Sequence, residues 1–133
     1  MTKEIPSERS EQIKLHYWCR IKKLNSFAIP NGGTRHKLEA VNLKKEGVTV
    51  GVSDYCVILP HSVLFIEMKR RKKKLKSGKF SNAHSKPSDE QLEFIEKANR
   101  SSAVVATVAY GFDEAKAFIE ENMKKYDNLK HFS

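Results

Sequence analysis

The sequence predicts an α/β or α+β fold in which one mixed sheet is flanked by helices. Three observations carry this reading. Apolar residues recur at helical spacing near both ends of the chain, two β-rich runs lie back to back around Pro60-His61, and a short apolar segment, AVVATVA (103–109), sits between two helical patterns.

Taken in order, residues 1–6 read as a loose tail, and Ser7 is placed to cap a helix running to about Leu24 with Pro6 just outside it. Ile13, Tyr17, Ile21 and Leu24 make one stripe of that helix, and Glu8, Gln12, Leu15 and Cys19 make another, so two faces need cover. Phe27 to Pro30 is a short strand ended by Asn31-Gly32-Gly33, and Arg35 to Glu46 is a helix stopped by Gly47. Val48–Leu59 and Val63–Met68 are rich in β-branched and aromatic residues and form a hairpin. Residues 69–86 are basic, then polar, and read as a mobile loop. Pro87 and Ser88 open a helix to about Arg100. The apolar run that follows is a strand covered on both faces, and Asp113 caps a last helix whose inward stripe is Ala115, Phe118, Ile119 and Met123.

At 133 residues and 39% apolar content the chain suits one domain, 7–126, with a C-terminal tail at 127–133. No run approaches the roughly 18 apolar residues of a membrane span, and the first residues lack a signal peptide's apolar stretch, so a cytoplasmic protein without a membrane partner is expected. Cys19 and Cys56 are the only cysteines, and no histidine pair stands near them at ligand spacing. Two buried, reduced thiols follow, rather than a disulfide framework or a zinc site.

The formal charge of +9 is local. KRRKKKLKSGK (69–79) holds eight basic residues and no acid, which is all but one of the excess. Such a run suits a polyanion, because each neutralised phosphate releases counterions. It also suits anionic lipid, a nuclear-import signal or a solvated loop.

Side chains alternate along a strand, so Glu67 and Lys69 share one face while Ile66 and Met68 share the other. With Pro60-His61 as a two-residue hairpin loop, Leu59 faces Ser62 and Asp54 faces Glu67. Their Cβ atoms are then roughly 4.5–5.5 Å apart. Carboxylates that close repel unless one is protonated or a cation lies between them, and oxygen-only ligands favour a hard ion such as Mg²⁺. The same spacing also fits two unrelated surface acids and the first lysine of a basic loop.

GVSD followed by LFIEMK resembles the PD-(D/E)xK nuclease superfamily, and the flanking residues resemble its VRR-NUC family. Glu8-x-x-x-Gln12 with Trp18 is similar to the family's opening helix. AIPNGG (28–33), Glu39-Ala40, Leu43-Lys44 and Glu46-Gly47-Val48 are similar to its stand-alone members, and Ser88-x-x-Gln91 to its downstream helix. The likeness spans roughly residues 7 to 122. Ser53 stands where the family usually has proline.

The resemblance implies a restriction-endonuclease-like core of order αβββαβ and a Mg²⁺-dependent DNA endonuclease in which Mn²⁺ substitutes. Asp54 and Glu67 are then metal ligands, the Met68 carbonyl a further ligand, and Lys69 the residue near the attacking water. Glu8 is the choice for a helix-borne carboxylate reaching the same metal, with Glu39 as its rival. Gln91 is a candidate active-site residue, although Ser88-x-x-Gln91 is equally a capping box. Arg70, Arg71, Lys72, Lys73, Lys74 and Lys76 are candidate phosphate contacts. AIPNGG reads as a plain turn, and Tyr17 and Trp18 as core or interface aromatics rather than base-stacking ones. The resemblance further implies a DNA-associated homodimer acting on branched DNA such as four-way junctions. The alternatives are a sequence-specific restriction-type endonuclease and a basic DNA-binding protein without catalysis.

Overall fold

The computed structural model describes residues 4–30 and 37–130. Asn31, Gly32 and Gly33 of the expected turn, and the Glu39 side chain, lie outside the described residues.

Helix α1 (Glu8–Ile21) starts where Ser7 Oγ accepts the Ser10 amide at 3.1 Å, with Glu8 and Glu11 in the first turn beside the positive end of the helix dipole. It ends short of Leu24 because Lys23 turns into the left-handed region at φ 58. The chain then forms β1 (Asn25–Ala28), α2 (Lys37–Lys45), β2 (Tyr55–Ile58) and β3 (Val63–Lys69). Beyond these lie β4 (Lys73–Lys74), β5 (Phe80–Ser81), α3 (Asp89–Ala98), β6 (Val104–Tyr110) and α4 (Phe112–Lys130). With α2 and the β4–β5 pair set aside, the order is αβββαβ with one further helix at the end.

The main sheet has the order β1-β2-β3-β6, antiparallel except for the parallel β3–β6 pair. The tight hairpin forms as the sequence predicts. Leu59 N–H donates to the Ser62 carbonyl at 2.8 Å, and Tyr55 pairs with Ile66. One sheet face presents Tyr55, Val57, Leu64, Ile66 and Met68, which pack with Leu15 and Cys19 of α1 and Phe112, Ala115 and Ile119 of α4 to form the core. Helix α3 covers the opposite face, where Phe94 meets Phe65 edge to face at 5.3 Å. Strand β6 is an edge. Asn99 closes part of it by accepting the Ala106 amide at 2.7 Å and donating to the Ala106 carbonyl at 2.9 Å, as a neighbouring strand would. Both cysteines are buried free thiols.

Three boundaries differ from the sequence reading. The run 48–54 precedes the regular strand β2, and the Asp54 carbonyl still accepts the Ile29 amide at 2.7 Å. Gly51 there takes φ +94, and a β-carbon on it would run into the Glu90 backbone, so the segment passes close against the start of α3. Residues 69–86, expected as a mobile loop, contain the β4–β5 ribbon, in which Lys73 pairs with Ser81 and Lys74 with Phe80. Side chains tie the base of this ribbon down. Ser85 Oγ accepts the Arg70 amide at 3.0 Å, His84 Nε2 donates to the Arg71 carbonyl at 2.8 Å, and Asn82 Nδ2 donates to Tyr110 Oη at 2.7 Å. Both tails also contribute to structure, since the carbonyls of Ile5 and Pro6 accept from the Arg70 guanidinium and α4 continues to Lys130.

Candidate active site

Strand alternation sets the site. Glu67 and Lys69 lie on the face of β3 opposite the core residues Ile66 and Met68, near the strand's C-terminal end. Asp54 stands one residue before β2, so continuing the Tyr55–Ile66 register brings it opposite Glu67. Its Oδ2 accepts the Met68 amide at 2.9 Å, in a position where a longer β2 would have offered backbone. The amide and carbonyl of a strand residue point to the same edge, so the Met68 carbonyl faces the Asp54 side as well.

Glu67 is 1% exposed, and its Oε1 has no hydrogen-bond partner. Burial, reinforced by a hydrogen bond to Asp54 and by its charge, pushes the Glu67 carboxyl up to about 9; Lys69 opposes this rise. Glu8 approaches from the first turn of α1. Its carboxyl is also raised, chiefly by burial, with Lys69 lowering it and Asp54 raising it. Glu8, Asp54, Glu67 and Lys69 therefore act on one another electrostatically, with three carboxylates around a single ammonium. A groove of about 580 Å³ opens beside Glu8 and Gln12 and continues past Ile13 and His16 to Phe27 and Tyr55.

Among the described residues, no three His, Cys, Asp or Glu side chains converge into a ready-made metal shell. The available set is the Asp54–Glu67 pair and the Met68 carbonyl, with Glu8 alongside. These residues fit a hard cation: all the donors are oxygens, and the unpartnered Glu67 Oε1 is a buried acceptor that hydrogen bonding leaves unsatisfied. Ser53 Oγ beside Asp54 is likewise buried without a hydrogen-bond partner.

The other sequence candidates have different surroundings. Gln91 is the N3 residue of α3, where its side-chain oxygen accepts the Ser88 amide at 2.8 Å and its own amide donates to Ser88 Oγ at 3.1 Å. That capping box accounts for both residues. Arg70 turns back to the carbonyls of Ile5 and Pro6. Arg71 pairs with Glu11 at 2.8 Å and lies 3.8 Å from Asp113. Lys73, Lys74 and Lys76 are exposed on the ribbon, and Lys72 lies with its Nζ 4.7 Å from the Tyr110 ring centre.

Glu11 escaped the sequence reading. It is buried with Leu15 and Cys19, and it anchors Arg71 where Gly111 leaves room: a β-carbon on Gly111 would lie 2.6 Å from both Glu11 Oε2 and Arg71 Cγ. The signal was present, because Glu11 stands at i−4 and i−8 from Leu15 and Cys19, which makes it an acid within an inward stripe.

No protein-family profile and no curated protein matches the chain. Among solved structures it is similar to a VRR_NUC domain protein, with a TM-score of 0.69 and 21% sequence identity over 91% of each chain. A likeness of that extent at that identity is one of fold. The strand order, the helices on both sheet faces and the carboxylate-bearing hairpin thus belong to a chain with the restriction-endonuclease-like fold of a VRR_NUC domain.

Proposed function

We propose that this chain is a metal-dependent endonuclease that hydrolyses DNA phosphodiesters. The observation that carries the reading is the Asp54–Glu67 pair. Buried Glu67 stands beside half-buried Asp54, with one Glu67 oxygen unpartnered and its proton strongly retained, on a strand that ends at Lys69 just before the basic ribbon. A structural role alone gives no reason for so unfavourable a pair, whereas a bound cation relieves it.

Asp54, Glu67 and the Met68 carbonyl would hold Mg²⁺, or Mn²⁺ in its place, with Glu8 as the additional carboxylate. When bound, such an ion polarises a phosphate oxygen and lowers the pKa of a water. The protein's own groups do the rest. Lys69, on the face of β3 shared with Glu67, orients the attacking water and stabilises charge developing on the phosphate. Lys72, Lys73, Lys74 and Lys76 supply sequence-independent contacts to the backbone, while Arg70 and Arg71 hold the ribbon in place and add positive charge. The preferred substrate is branched DNA such as a four-way junction, cut by a homodimer. Support for the dimer comes from α1, where Ile13, Tyr17 and Ile21 are 53%, 68% and 75% exposed.

The test is to replace Asp54 or Glu67 with alanine and measure cleavage and binding on the same DNA. Cleavage is lost with either substitution, and affinity stays equal or rises because a negative charge facing phosphate has been removed. Substantial cleavage by purified Asp54→Ala protein contradicts the assignment.

A further inference from the structure

The β4–β5 ribbon is more than a run of charge. Its register makes Lys74 and Phe80 cross-strand partners, and continuing that register past the strand ends brings Lys72 opposite Asn82 at the base. Alternation puts Lys72, Lys74, Phe80 and Asn82 on one ribbon face. At the base, that face meets Tyr110, whose hydroxyl accepts from Asn82 and whose ring lies under Lys72. Tyr110 in turn is the β6 register partner of Lys69, so the two side chains share the sheet face that carries Glu67. A continuous track therefore leads from Lys69 across Tyr110 to Lys72, and then out to Lys74 and Phe80.

Phe80 is 65% exposed, set among lysines in a stretch with no acid between Lys69 and Ser88. An aromatic ring held on a two-stranded ribbon, flanked by ammonium groups and largely uncovered by the described residues, has the chemistry that grips a single strand. Cations take the phosphates, and the ring offers a face to a base. A base inside an intact duplex already has both faces stacked and presents none to the ring. We propose that this ribbon face binds an unpaired DNA segment next to the scissile phosphate, with a nucleobase stacked on Phe80 and adjoining phosphates on Lys72 and Lys74. The proposal deepens the nuclease reading and rests on it for the position of the scissile bond, but the grip itself requires no catalysis.

The test measures binding by the full chain in EDTA, by fluorescence anisotropy, to a blunt duplex and to the same duplex carrying a single-stranded flap. Phe80→Ala is expected to weaken flap binding by roughly ten-fold and blunt-duplex binding by less than about two-fold, with Phe80→Trp restoring the affinity for the flap. Because Phe80 is exposed, its replacement leaves the fold intact, which a matching circular dichroism melt verifies. Equal weakening on both DNAs, or no change on either, overturns the stacking role. Parallel cleavage assays with Mg²⁺ separate the two claims. Cleavage by the unsubstituted chain without a Phe80 effect leaves the nuclease and removes the grip, and a selective Phe80 effect without cleavage leaves the grip and removes the nuclease.

Discussion

At the scale of single residues, the Asp54–Glu67 pair makes a prediction about pH that is separate from catalysis. Glu67 has an ordinary value of 4.5 and is pushed up to about 9 in the folded protein by burial and by Asp54. Between those values the folded state holds a proton that the unfolded chain has released, so this group's contribution is full at low pH and is lost as pH rises across that window. In EDTA, Glu67→Gln should therefore raise the melting temperature at pH 8 by roughly 3 °C or more, with the gain vanishing near pH 4. An unchanged or lower melting temperature at pH 8 would show that Glu67 carries no such penalty. Asp54, Glu67 and Lys69 were legible because strand alternation and a two-residue turn fix their geometry from spacing alone. Glu8 was legible only through its place on the opening helix. Glu11 was not, because an acid reads as solvent-facing until a partner is known, and Arg71 lies 60 residues away.

Among the elements, long periodic segments are legible in the sequence, and segments set by a single backbone conformation are not. Helices α1 and α4 show their apolar stripes in the sequence, α3 shows its Ser88 cap, and the β2–β3 hairpin shows its turn. Val48 to Asp54 alternates like a strand, yet Gly51 turns into the left-handed region against the Glu90 carbonyl, and the regular strand begins only at Tyr55. The ribbon looks like a loop in the sequence for the converse reason: its strands have two residues each and bury little, so no period marks them. What orders it is a set of side-chain ties at its base, to Ser85, Asn82 and Glu11. With the ribbon as a phosphate-binding element, replacing Lys72, Lys73, Lys74 and Lys76 with serine weakens binding to every DNA. Each phosphate that is no longer neutralised flattens the log–log salt slope on duplex DNA by about 0.9. A slope that stays the same means the ribbon does not touch the backbone.

For the whole molecule, the sequence carried the layer arrangement because alternating strand and helix patterns admit few topologies. It also carried the two-faced character of α1. One stripe packs inward through Leu15 and Cys19, and of the other, Leu24 alone packs on the core while Ile13, Tyr17 and Ile21 face outward. On the proposed function, a second copy covering that face would give a two-fold dimer whose paired sites suit the near-symmetric arms of a junction. Sedimentation equilibrium at micromolar concentration should then return about twice the 15.2 kDa chain mass. A monomer both alone and on junction DNA removes the dimer and its paired cuts, but not the chemistry at Asp54 and Glu67. That chemistry can be assayed by itself. The purified chain is incubated with linear, flapped and four-way DNA, each with Mg²⁺ and with EDTA, with Asp54→Ala protein alongside. Strand cleavage is expected from the unsubstituted chain with Mg²⁺, fastest on branched DNA, and none with EDTA or with Asp54→Ala. Cleavage that persists in EDTA, or no cleavage of any DNA with Mg²⁺ or Mn²⁺, would contradict it.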